Sequence, residues 1–466
     1  MPVLGRLLSS RVGRRVMQSV VLVIAVVMIL DGFLGPRLAP RNLATVLGWV
    51  HYRGLLVLVL LVAGNFFCMT CPFTLSRDLA RRFFRPFLNW PHWLRSKWVA
   101  LVLFVAILFS YELFDLWGDP RWTAALILAY FIGAVVVDSV FRNASFCKYV
   151  CPIGQFNFLT STVSPLEVRV RDLDVCHTCT TLDCIRGRRD PVEPEIVLQR
   201  GCELALFQPK KVGNLDCTFC MDCVQACPHD NVGLIGRVPA LELTTDERRS
   251  GIGRLSRRGD YSVLALVFTF GALLNAFAMV SPVYVAEQWL ADLLGTQREW
   301  PVLATLFTFA LVLEPAILVG GTAEITRART GRMAGLWETV RAFSFGLVPL
   351  GVGIWAAHYA FHLLTGLWTW IPAVLRLVSD LRGGTAAAIG IAPGIPDGLV
   401  YPIELGLIGL GLVGSLIALH GIGSRTYPRR ALSAALPWMV LCVLLASAAV
   451  WLLAQPMEMR GTFLGG

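Results

Sequence analysis

Twelve of the chain's thirteen cysteines fall between Cys68 and Cys227. Four of them, Cys217, Cys220, Cys223 and Cys227, read C-x2-C-x2-C-x3-C, with Pro228 next. Three thiolates so spaced wrap one face of an iron-sulfur cubane, while a fourth, displaced and followed by proline, reaches a second cluster. The partner set is Cys176, Cys179 and Cys184, with Cys202 downstream as the crossed fourth ligand. The expected assignment is one [4Fe-4S] cluster on Cys176, Cys179, Cys184 and Cys227, and a second on Cys217, Cys220, Cys223 and Cys202. Structural zinc also uses paired C-x2-C, but seldom this run followed by proline. Cys202 departs from the regular pattern, because 17 residues separate it from Cys184 and Glu203, not proline, follows it. The intervening stretch, with Arg186, Arg188, Arg189, Pro191 and Pro194, reads as a surface loop.

Two further pairs, Cys68 and Cys71 before Pro72, and Cys147 and Cys151 before Pro152, each close an apolar run. They admit three readings: a third [4Fe-4S] cluster at the membrane boundary, a redox-active thiol pair, or helix-end packing by small buried cysteines. Cys442 stands alone in another apolar run. His358 and His362, four apart, share one face of an apolar run, and His51 opens another at a similar depth. Imidazoles so placed ligate a b-type haem, hydrogen-bond a quinone carbonyl, or anchor helix ends beside a wetted outer cavity; haem is the least supported of these. Asp138 and Glu314 lie inside apolar runs, where a carboxyl group either handles the protons of quinone chemistry or bonds to a neighbouring helix.

The elements that position these groups are membrane helices. The chain of 466 residues is 56% hydrophobic and 15% charged, with a mean hydropathy of +0.64, against roughly 25% charged in a soluble domain. Apolar runs near the ~20 residues a bilayer requires occur at about 17–35, 46–67, 98–116, 122–141, 261–284, 301–321, 339–363, 402–421 and 432–454. The first follows Arg11, Arg14 and Arg15, and no small-x-small site succeeds it, so it reads as an uncleaved anchor rather than a signal peptide. The expected fold is an all-α polytopic membrane protein of nine transmembrane helices with a small inserted α+β ferredoxin-like domain carrying two clusters. Residues 1–164 form four spans, 165–255 the inserted domain, and 256–466 five more spans.

The formal charge of +10 suggests a nucleic-acid partner only until the charges are located. Pro165 to Ser250 holds fourteen acidic and eleven basic residues, so the positive excess belongs to loops between apolar runs. Arg77, Arg81, Arg82, Arg85, Arg95 and Lys97 follow the second run, Arg327, Arg329 and Arg332 the sixth, and Arg425, Arg429 and Arg430 the eighth. The positive-inside rule then sets the N-terminus and the cysteine-rich insert in the cytoplasm of a bacterial inner membrane, with the C-terminus outside. Nucleic acid is excluded. The segment after Leu367, with Trp368 and Trp370, reads as lying along the membrane surface, and its Gly390–Gly398 tract as a docking stretch. Gly406, Gly409, Gly411 and Gly414 read as a stripe for close helix packing, and the same spacing suits a subunit interface.

Cysteine pairs before proline at two helix ends, followed by a two-cluster ferredoxin run, resemble the polyferredoxin membrane proteins of the periplasmic nitrate reductase and nitrous oxide reductase systems, the NapH and NosR type. The resemblance covers residues 50–245. The first pair departs from it, being C-x2-C-P rather than C-x3-C-P, and so do the five runs after residue 260. It implies an electron carrier between the quinone pool and a redox partner subunit, a cytochrome or another oxidoreductase. Two other classes stand beside this: an assembly or regulatory membrane ferredoxin that reduces a metal or thiol for another oxidoreductase, and a membrane anchor of a larger respiratory complex. No residues combine as nucleophile, base and oxyanion donor, so the chemistry expected is that of bound cofactors.

Overall fold

The computed structural model describes residues 10–84, 86–384 and 394–457. Arg85 and residues 390–393 of the Gly390–Gly398 tract lie outside them. The chain is mostly helical and is a membrane protein: among the described residues eight helices are long and apolar enough to cross a bilayer. Numbered in chain order with one shorter neighbour, the helices are α1 (Arg11–Leu34), α2 (Leu43–Ala63), α3 (Trp98–Leu113), α4 (Pro120–Val140), α5 (Gly259–Phe277), α6 (Glu299–Thr330), α7 (Leu336–Thr365), α8 (Gly398–Thr426) and α9 (Pro428–Leu453). The remaining apolar run forms α3, at 16 residues the shortest of the nine helices. Strands are few. β1 (Leu166–Val170) pairs antiparallel with β4 (Val232–Gly236), and β2 (Arg188–Arg189) with β3 (Val197–Gln199). The inserted segment therefore shows two small two-stranded sheets, and no ferredoxin-like domain is established by them.

Two compact units interleave along the chain. One comprises the chain up to Ala25, Val59–Leu103 and Ala129–Tyr261; the other comprises Val26–Leu58, Phe104–Leu128 and the chain from Ser262. Twelve cysteines belong to the first unit.

In the second unit α7 is the core: it is apolar all round and almost wholly buried, as a helix enclosed by others must be. Small residues let its neighbours approach. A Cβ on Gly353 would lie 2.7 Å from the Leu407 carbonyl oxygen, and one on Gly411 would lie 2.7 Å from that of Pro349. The glycine stripe of α8 is thus divided. Gly411 and Gly414 face α7, whereas Gly406 and Gly409 have open space where a side chain would go. We expect Gly411→Val to destabilise by about 1–3 kcal/mol through overpacking, and Gly409→Val to fall within about 0.5 kcal/mol of wild type. Thermal unfolding of the two variants in one detergent checks this, and equal midpoints would exclude the packing described.

Two local features aim the chemistry-bearing residues. Val46–Tyr52 of α2 is wound as a π-helix, a form concentrated at functional sites, and it turns Trp49, His51 and Arg53 to new headings. Gly54 then brings α2 against α7, since a Cβ there would lie 2.5 Å from Leu363 Cβ.

Candidate functional site

In the first unit the paired cysteines of the two helix ends meet. Cys68, Cys71, Cys147 and Cys151 line one cavity, with Arg77 and Asp138 in its wall and Cys220 also reaching it. Cys71 and Cys151 each precede the proline that opens a short helix, Pro72–Ala80 and Pro152–Thr160. Proline suits this position, where its missing N–H removes no helix bond. The backbone N–H of Gly154 donates to Cys151 Sγ at 3.2 Å, and Asn157 Nδ2 donates to Cys68 Sγ at 3.3 Å. Burial pushes the Cys68 thiol up to about 12 and Cys71 up to about 11, and it raises Cys147 and Cys151 as well. Thiols this reluctant to ionise make poor dithiol reagents, because exchange proceeds through the thiolate. A metal deprotonates such ligands outright.

A second cavity is lined by Cys176, Cys179, Cys184 and Cys227, the last drawn from the other end of the cysteine segment. Asn231 ties the two ends together: its N–H donates to Cys227 Sγ and its side chain to Cys176 Sγ, both at 3.4 Å. Cys184 is driven up to about 11 by burial, whereas Cys179, near the surface, is lowered by the N–H of Leu182. The remaining four also lie together. Cys202 is close enough to Cys217, Cys220 and Cys223 for charge on one to be felt at the others, and burial raises all four. The Leu206 N–H donates to Cys202 Sγ at 3.4 Å.

The backbone is bent to make these turns. Of ten described non-glycine residues at positive φ, six fall in the cysteine segment: Leu182, Ala205, Asp216, Phe219, Met221 and Asp230. Left-handed residues that lack glycine's freedom cost energy and gather where a ligand is clamped. The turn at Phe219 is seated on Gly64, where a Cβ would lie 2.5 Å from the ring, and Asn65 donates to the Cys217 carbonyl at 2.9 Å.

The residues fit iron-sulfur clusters. The two thiol-lined cavities are small, about 30 and 20 Å3, and the thiols that line each include the four-sulfur donor set one cubane takes. Among the described residues no three His, Cys, Asp or Glu side chains converge on one point as a single ion requires.

Buried cations surround the sulfurs, and sequence spacing did not reveal them. Arg77 is 1% exposed and contacts Glu203 at 2.7 Å, Asp78 at 2.8 Å and Asp138 at 3.6 Å. Lys97 pairs with Asp216 at 2.7 Å, and Arg14 with Asp222 at 3.1 Å. Asp138 is therefore committed: it pairs with Arg77 and accepts the Phe146 N–H at 2.9 Å, a structural position rather than a free proton carrier. The one sequence signal was the charge itself, since Arg14, Arg77 and Lys97 flank apolar runs.

The second unit holds the histidines. His51 is not a free ligand, because its two ring nitrogens lie 3.0 and 3.2 Å from the Val46 and Leu367 carbonyl oxygens. His358 and His362 are fully buried, not part of a wetted cavity, with ring centroids 4.8 Å apart. Both ring nitrogens of His358, Nε2 of His362 and Nη1 of Arg53 are buried without a hydrogen-bond partner. The Arg53 guanidinium sits over four rings, at 4.1 Å from Trp49, 4.4 Å from Trp117, 5.0 Å from Tyr111 and 5.2 Å from Tyr359, and Trp117 also touches His362. Arg53 was missed, reading only as a charge in an apolar run. Glu314 is half-buried at the start of the α-helical turns that follow a π-helical stretch, Phe309–Leu313.

Against known proteins the likeness is partial. The chain is 29% identical over 106 residues to the Escherichia coli (strain K12) protein titled "Putative electron transport protein YccM". The matched stretch is 23% of this chain and 25% of that protein, so the two are alike over about a quarter of their lengths. No family model matches the chain. No solved structure matches it.

Proposed function

We propose that this chain is a membrane-integral iron-sulfur electron-transfer subunit, working between the quinone pool and a redox partner as NapH/NosR-type polyferredoxins do. The observation that carries the reading is the gathering of twelve cysteines within one compact unit, where two cavities are thiol-lined and Cys202 is within electrostatic reach of Cys217, Cys220 and Cys223. The partial likeness to a protein titled as an electron transport protein agrees with it. Cys176, Cys179, Cys184 and Cys227 would hold one [4Fe-4S] cluster, Cys217, Cys220, Cys223 and Cys202 a second, and Cys68, Cys71, Cys147 and Cys151 a third. Such clusters, when bound, supply one-electron chemistry at potentials set by their surroundings. The protein's own part is to supply thiolates, to donate amide hydrogens to sulfur from Gly154, Asn157, Leu206 and Asn231, and to offset negative charge with Arg14, Arg77, Lys148 and Lys211. The excess of Arg and Lys in alternate loops supports a cytoplasmic cysteine segment and an outer C-terminus.

For the lipid-side substrate the reading favours Arg53, His358 and His362. Buried polar atoms without partners call for an occupant, and a quinone carbonyl accepts the hydrogen bonds these groups offer. Haem is disfavoured. Histidines one turn apart on a single helix project from the same face and do not take opposite sides of one iron. The test is anaerobic titration of the purified protein with a quinol while cluster absorbance is followed. Bleaching by wild type that is slowed at least tenfold in Arg53→Leu is expected, and wild-type protein that stays oxidised in excess quinol would sink the reading.

A further inference from the structure

A third cavity in the cysteine-bearing unit is of another kind. Its volume is about 350 Å3, within the ~300–1,000 Å3 of small-molecule sites. Arg95, Arg142, Lys148 and Arg258 stand in its wall beside Trp90 and Tyr149. The two rings lie flat on one another, with planes 7° apart and centroids 5.5 Å apart. The acids nearby are already engaged. Glu203 is held by Arg77 and Arg200, Asp216 by Lys97, and Asp260 by Arg258. Arg95 and Lys148 donate only to the carbonyls of Trp90 and Leu204, and among the described residues neither they nor Arg142 form an ion pair. Three cations without a carboxylate thus share a cavity with an aromatic platform.

We propose that this cavity binds a mononucleotide, its planar base or flavin ring against Trp90 and Tyr149 and its phosphate among Arg95, Arg142 and Lys148. Aromatic side chains stack on any flat heterocycle, and Arg and Lys are the usual partners of phosphate. An anionic lipid headgroup shares the phosphate but has no ring to stack. The position suits a role near the metal centres, because the wall includes Tyr149, two residues from Cys147, and Leu204, two from Cys202.

Equilibrium dialysis of the full-length protein in neutral detergent, against flavin mononucleotide, AMP and inorganic phosphate in separate arms, tests this. Saturable binding of one nucleotide per chain is expected, with the better arm naming the ring and phosphate alone binding more weakly. Arg142→Gln, an exposed position, should weaken the nucleotide about tenfold, the worth of one charge-assisted hydrogen bond. Trp90→Leu should weaken it too, with iron content held as the check on folding. No saturable nucleotide binding, phosphate as tight as either nucleotide, displacement of the nucleotide by an anionic lipid alone, or unchanged affinity in both variants overturns the proposal.

Discussion

Cys223→Ala is expected to cost the protein about four iron atoms per chain, one cubane's complement, out of about twelve when all three sets are filled. Cys223 is 5% exposed and sits in the short helix Asp222–Ala226, so nothing from solvent replaces it easily. The companion substitution, Cys227→Ala, should cost as much iron but from a different cluster, although only three residues separate the two. Cys227 lines the cavity of Cys176, Cys179 and Cys184. Electron paramagnetic resonance of the two reduced variants should therefore lose different signals. Cys442→Ala, buried in α9 away from any set, should lose none. Identical spectra for Cys223→Ala and Cys227→Ala would dispose of the crossed ligation.

Arg77→Ala should destabilise the protein by about 3–5 kcal/mol, the usual cost of stripping one partner from a buried ionic group. Its removal leaves Asp138, which is fully buried, and Glu203, 14% exposed, without the cation that serves both. Arg200 offers the contrast. It contacts Glu203 and Asp78 as well, but is half exposed, and Arg200→Ala should cost less than about 1 kcal/mol. If the loss stems from stranded charge, then Arg77→Met combined with Asp138→Asn and Glu203→Gln should recover most of the stability. Thermal melts of the three proteins decide it: an Arg77→Ala variant that melts with wild type, or a triple variant no better than the single, contradicts the account.

Much of the candidate site was legible because ligation motifs are local. Cys217, Cys220, Cys223, Cys227 and Pro228 carry their meaning in spacing along eleven or so consecutive residues, and a long apolar run announces a span by length. Each of the nine apolar runs is a helix in the structure, eight of them of full spanning length and α3 shorter at 16 residues. The same reasoning expected a recognisable ferredoxin-like domain where two short ladders stand. Glycine spacing in α8 was read as a uniform contact stripe, yet only two of the four positions touch α7, because rotation about the helix axis is set by packing and not by composition.

Chain order and residue type were enough to name a membrane protein and its candidate thiol ligands. They could not say that His51 is taken up by two carbonyls while His358 and His362 are left unsatisfied, nor that Arg53 joins them inside a box of four rings. Those facts depend on contacts between residues hundreds of positions apart, and on a π-helical turn that reorients one face of α2. Spacing is a property of neighbours along the chain; burial, and with it the demand of a polar atom for a partner, arises only when distant helices close around it.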